Sequence, residues 1–196
     1  MATMRRKLTK EQEIIKLLFK DFTTEYNSRN ISPKVGLSHS GAFRAFKKLE
    51  ETEIVTSRQI GKAIIYSLNL NNPVTRREID SILTIEASNH LRWVDEFRKL
   101  EAVVKCAVLF GSILRNEKEA RDIDLLVIAE KKYYLEIKRI IEERKKILVK
   151  PVHLIFQTPN DFKTDLERRY KTTIEIIKTG IALYGQDEFR KLVTEK

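Results

Sequence analysis

The 196-residue sequence holds one cysteine, four prolines, six glycines and one tryptophan. A single thiol, Cys106, closes no intrachain disulfide and supports no cysteine-based zinc site, and within an apolar run it reads as a small buried hydrophobe. Long hydrophobic runs are missing as well. Stretches such as Leu125–Ala129 fall far short of the roughly 20 residues a membrane-spanning helix needs, so no membrane partner is expected. The basic start, Met1 to Lys7, has no apolar segment behind it and does not read as a secretion signal, which makes the cytoplasm the expected location. Internal repeats and low-complexity segments are absent. With 42% hydrophobic and 34% charged residues the chain can bury a core under a charged surface, as one ordinary domain or two small ones.

Charge of one sign is in excess, and unevenly so. The net charge is +10, which suits a polyanionic partner. Residues 1–72 carry 13 Lys and Arg against 7 Asp and Glu, and residues 73–196 carry 25 against 21. The first third is the more basic part, a hint of two jobs in one chain.

In that first third, Ile14, Ile15, Leu17, Leu18 and Phe22 share one side of a helix over 10–20, with Thr9 as its cap. A short second helix fits Thr23–Arg29 before Ile31-Ser32-Pro33 breaks the pattern. Ser38-His39-Ser40 can cap a third helix reaching Glu51, with Ala42, Phe43, Phe46 and Leu49 inward and His39, Ser40, Arg44, Lys47 and Lys48 outward. Two β-rich runs, 54–57 and 63–68, joined by Arg58–Lys62, then read as a hairpin. Three helices and a hairpin resemble the winged helix-turn-helix domain. The resemblance implies double-stranded DNA as partner, with Ser38, His39, Ser40, Arg44, Lys47 and Lys48 on the recognition helix and Arg58 and Lys62 on the wing. The plainer reading is a small helical domain with a solvated basic face.

Asn69–Pro73 lacks periodicity and reads as a linker, which places a boundary near residue 72. Beyond it, apolar residues from Ile79 to Leu100 recur at spacings of three and four, predicting one long connecting helix over 73–101. Its stripe either packs on the second domain or pairs with its copy in a homodimer, and the pattern alone does not choose. Residues 102–196 alternate strands and helices, the pattern of an α/β layer with a small sheet.

The informative segment runs from Leu109 to Val127. A strand ends in Gly111-Ser112, where a glycine, a hydroxyl and backbone amides can approach a phosphate. Asp122 and Asp124 stand two apart on the next strand, on one face, where two carboxylates can share divalent cations.

Gly111, Ser112, Arg115, Asp122 and Asp124 resemble, position by position, the core of the minimal nucleotidyltransferase family of the DNA polymerase beta-like superfamily. The resemblance extends over about residues 88–188, and Ala182–Gly185 is similar to the end of that family's C-terminal helix. It implies a nucleoside triphosphate (NTP) held by Gly111, Ser112 and Arg115, and Mg²⁺ or Mn²⁺ held by Asp122 and Asp124. It also implies attack of a hydroxyl on the α-phosphate with release of pyrophosphate. The family's third carboxylate falls on the strand Pro151–Phe156, at His153, and that strand has no Asp or Glu. An imidazole can ligate metal and accept a proton but brings no negative charge. Arg121 is a second departure, standing where the family has a small polar residue.

The expected architecture is therefore α+β in two domains. A winged helix-turn-helix comes first, then a nucleotidyltransferase-like fold with a small mixed sheet flanked by helices. Two functions follow: a DNA-binding regulator whose second domain binds Mg-NTP with weak or lost catalysis, or an active nucleotidyltransferase targeted by its winged helix.

Overall fold

A computed structural model describes residues 6–195, so most of the basic start read for a secretion signal lies outside the described residues. The chain divides into two compact units, one of residues 6–85 and one that takes in residues 86–195.

The first unit opens with α1 (Lys10–Lys20), fixed at its start by a reciprocal cap. The Thr9 hydroxyl accepts from the Gln12 amide at 3.2 Å, and the Gln12 side chain accepts from the Thr9 amide at 3.1 Å. The second helix lies later than the sequence suggested. Asp21 holds residues 21–26 in a turn, its carboxylate accepting from Thr24 at 3.0 Å and from the Tyr26 phenol at 2.6 Å. Helix α2 (Ser28–Val35) then starts at the Asn27 cap and runs through Pro33. Proline supplies no N–H there, and the Ser32 hydroxyl bonds the Arg29 carbonyl in its place, at 3.1 Å. Ser38 caps α3 (His39–Glu51), which buries Ala42, Ala45, Phe46 and Leu49. Phe43, expected inward, is exposed, because Ala45 takes the inward position.

Strands β1 (Val55–Ile60) and β2 (Ala63–Leu68) pair antiparallel about a two-residue turn in which Gly61 takes a φ of 58°. Arg58 thus sits in the strand, and Lys62 occupies the tip. Tyr66 lies flat on Phe46, ring centroids 3.9 Å apart, which ties the hairpin to α3.

The long helix expected over 73–101 is broken. α4 (Pro73–Ser88) ends where the Asn89 and His90 amides turn to carbonyls three residues back, the tightening typical of a helix terminus. Ser88 and Asn89 are weak helix formers. A short α5 (Leu91–Glu96) and a 3-10 turn follow, burying Trp93, Phe97 and Leu100 in the second unit's core.

The second unit is built on a mixed sheet in the order β5-β4-β3-β6. Strands β3 (Cys106–Phe110) and β4 (Ile123–Ile128) pair antiparallel. Helix α6 (Tyr134–Lys145) carries the chain over to β5 (Val152–Gln157), parallel to β4. Helices α7 (Pro159–Glu167) and α8 (Lys171–Thr179) precede β6 (Ile181–Tyr184), and α9 (Gln186–Thr194) ends the chain. Ala182–Tyr184, read from the sequence as a helix ending, is instead an edge strand antiparallel to β3. The four residues of β6 are all buried, and Gly185 follows at φ 67° where a Cβ would strike the Lys105 backbone. Such a terminus admits only glycine.

Candidate functional site

The site is assembled at the end of the sheet where β3 stops and β4 and β5 begin. Phe110 pairs with Asp124, and Asp124 with His153. Two motif positions, Asp124 and His153, are therefore brought beside the residue that precedes Gly111 by strand register alone. Gly111 leaves β3 at φ 83°, and a Cβ there would overlap the Asp124 carboxylate. The glycine is thus required twice, by its backbone and by the acid packed on it. Asp124 is 18% exposed at its side chain, against 66% for His153, and its Oδ1 lies 3.2 Å from His153 Nδ1. The imidazole's other nitrogen belongs to an exposed side chain.

Ser112 opens a single 3-10 turn, Ser112–Leu114, and its carbonyl accepts from Arg115 and Asn116 amides at 3.0 Å. The remaining loop is fixed from outside. Lys150 Nζ donates to the Ala120 carbonyl and, at 3.3 Å, to that of Lys118, while the Ile123 amide reaches the Pro151 carbonyl at 2.9 Å. Sequence reading missed Lys150, for a lone lysine before a proline carries no motif. Arg115 and Arg121 are exposed beside this loop, and Asp122, just before β4, is partly exposed.

Asp161 and Asp165, the first carboxylates after His153 in the sequence, are engaged elsewhere. Asp161 closes the cap of α7 with Thr158, whose bonds hold its carboxyl below the usual range. Asp165 accepts from Gln157, at the far end of β5.

Among the described residues no three of His, Cys, Asp and Glu stand together as a metal site. Asp124 in β4 and Asp122 just before it are the carboxylates at this end that could hold a divalent cation. Mg²⁺ is commonly held by one or two carboxylates with phosphates and waters completing the shell, and rarely by an all-protein cage.

In the first unit the positions assigned to DNA are partly engaged. Ser38 caps α3, its hydroxyl accepting from Gly41 at 3.1 Å, and lies 3.2 Å from Ser40. His39 bonds the Ser28 hydroxyl at 2.9 Å. Lys47 pairs with Glu50 at 2.8 Å, Lys48 with Glu11 at 2.9 Å, and Arg58 with Glu25. Arg44 and Lys62 are exposed with no ion pair among the described residues.

No curated protein matches the sequence. Among solved structures, several forms of ZitR of Lactococcus lactis are similar. A mutant in its apo form shows 21% identity over 46% of this chain and 64% of that one, TM-score 0.32. A mutant in complex with DNA shows 18% over 52% and 64%, TM-score 0.33, and the wild type in complex with DNA 23% over 52% and 66%, TM-score 0.31. The chain thus spans just under two thirds of ZitR, and at these scores the likeness bears on neither fold nor function. A family model described as "Nucleotidyltransferase domain" matches residues 92–180, a range that holds every motif residue from Gly111 to His153. The chain therefore carries a nucleotidyltransferase domain in its second unit.

Proposed function

We propose that the chain is a DNA-binding regulator whose nucleotidyltransferase domain binds an NTP together with Mg²⁺ or Mn²⁺, with weak or lost nucleotidyl transfer. The observation that carries the DNA half is the exposed face of α3, with Arg44 and Lys47 outward and the hairpin tip Lys62 beyond it. A capped helix stacked on a basic hairpin through Phe46 and Tyr66 is the arrangement that reads a major groove while the wing meets phosphate.

For the second unit, the support is the packing of Asp124 on Gly111, which keeps one carboxylate next to a turn open to phosphate. Gly111 and Ser112 would face the β- and γ-phosphates, Arg115 would add a cation, and Asp122 and Asp124 would hold the metal. When bound, the metal supplies charge neutralisation on the phosphates. His153, in place of an acid, lowers the negative charge available to the dication, which favours retention of nucleotide over transfer.

The second reading, an active transferase acting on a hydroxyl of a protein, RNA or small molecule, draws on the Nδ1 contact of His153 with Asp124. Magnesium titration of His153→Asp separates the two. A gain in Mg²⁺ affinity fits a site weakened by the histidine, and a fall marks His153 as a working group of an active centre.

A further inference from the structure

Residues 26–49 hold Arg29, Lys34, Arg44, Lys47 and Lys48 and no Asp or Glu. Acids return only at Glu50 and Glu51, in the last turn of α3. Glu50 lies on Lys47, and from other elements Glu11 is held by Lys48 and Glu25 by Arg58. Ser40, Phe43, Arg44 and Lys47, three and four residues apart, share the exposed face of this helix. Phe43 is the apolar member of that face, 41% exposed, whereas Phe46 one turn on is buried against Tyr66. Lys47 Nζ stands 5.9 Å from the Phe43 ring centroid. The second turn of α3 thus presents an aromatic ring beside two cations.

We propose that Phe43 reads the C5-methyl group of a pyrimidine in the major groove, the group that thymine carries and 5-methylcytosine shares. This rests on the duplex-binding reading of the first unit. A recognition helix meets base edges with the residues of its N-terminal turns. The pyrimidine methyl is the apolar feature of the major groove, and phenylalanine is among the side chains that pack on it. On the turn before, His39 bonds Ser28 and Ser40 lies against Ser38, so both are drawn back toward the protein. Arg44 and Lys47 beside the ring bring it to a polyanion, where phosphates supply the opposite charge. One ring without an apolar surround is too little for a membrane surface.

The probe is a pool of random-sequence DNA duplexes, from which the full chain selects a bound duplex that is then labelled and titrated by anisotropy. Deoxyuridine, which lacks only the methyl group, is substituted for each thymine in turn, and 5-methylcytosine for each cytosine. At one position the methyl should change affinity about fourfold, the effect of one buried carbon. A loss with deoxyuridine names thymine as the source, and a gain at a cytosine names 5-methylcytosine. Phe43→Ala should bind the methylated and methyl-free duplexes equally, with the melting temperature and the salt slope of the wild type. Phe43→Leu should keep part of the discrimination. Failure of the wild type to bind any duplex would overturn the duplex-binding reading and this proposal with it. Salt-dependent binding with no selected site or no methyl-sensitive position, or a sensitivity that persists in Phe43→Ala, would overturn the role of Phe43 alone.

Discussion

Gly111 and Asp124 are a single feature of the second unit: the backbone of one is bare because the carboxylate of the other lies on it. Gly111→Ala has to add a Cβ at φ 83° and displace the acid. A loss of roughly 2–4 kcal/mol in the second unit's stability is expected, from left-handed strain of about 1–2 kcal/mol together with the steric overlap. Gly61→Ala is the control. Gly61 also has positive φ, but nothing lies within 4 Å of its added Cβ, so only the backbone strain remains. Urea unfolding followed separately for the two units measures both.

The acids of the first unit restrain its own basic face. Glu50, held below the usual carboxylate range by its bond to Lys47 and then by Ser57, and Glu11, lowered chiefly by Lys48, each occupy a cation that DNA would otherwise take. Replacing Glu11, Glu25 and Glu50 by Gln should tighten binding to duplex DNA and steepen its salt dependence. Arg44→Ala and Lys62→Ala should each flatten the log–log slope by about one unit. Salt titrations of binding for the wild type and both sets of variants decide this. Unchanged slopes would remove α3 and the hairpin from the interface.

Tyr26 makes the first unit sensitive to alkali. Burial, and then the bond to Asp21, hold its phenol proton well above the ordinary tyrosine range. A group whose folded pKa is raised contributes stability in full below its unfolded value, about 10, and loses it as pH rises from there toward the folded value. The unit should therefore weaken above about pH 10. Tyr26→Phe should start less stable at neutral pH, for want of the 2.6 Å bond to Asp21, and show a flatter alkaline limb. Thermal melts from pH 8 to 11 give both curves.

Lys150 acts on the site through the loop it holds. Lys150→Met should speed amide hydrogen exchange across residues 116–121 and weaken Mg-ATP binding about tenfold, while Lys150→Arg restores part of each. A variant with unchanged exchange would show that the loop stands without the lysine.

Much of this was legible in the chain itself because local chemistry decided it. The caps at Thr9 and Ser38, the hairpin, and the Gly111 to Asp124 segment each carry their signal within a few residues. What sequence reading misplaced depended on contacts from further away. Asp21 turned a stretch that reads as helix into a turn, and Ser32 let a helix pass through Pro33. The apolar stripe from Ile79 to Leu100 continues in sequence across a break at Asn89, since period alone carries no mark of where a chain changes direction. Ile181–Tyr184 became a strand because β3 had an open edge to fill. At the site, register placed His153 against Asp124 as expected of neighbouring strands, whereas the pinning of the loop by Lys150 left no trace in the sequence.

Calorimetric titration of Mg-ATP and Mg-GTP into the full chain, beside the Asp122→Ala, Asp124→Ala double variant, tests the central reading most directly, because it needs no knowledge of an acceptor. Binding to the wild type that disappears in the double variant is the expected result. Absence of binding to the wild type with Mg²⁺ and with Mn²⁺, or binding that survives loss of both carboxylates, would contradict it.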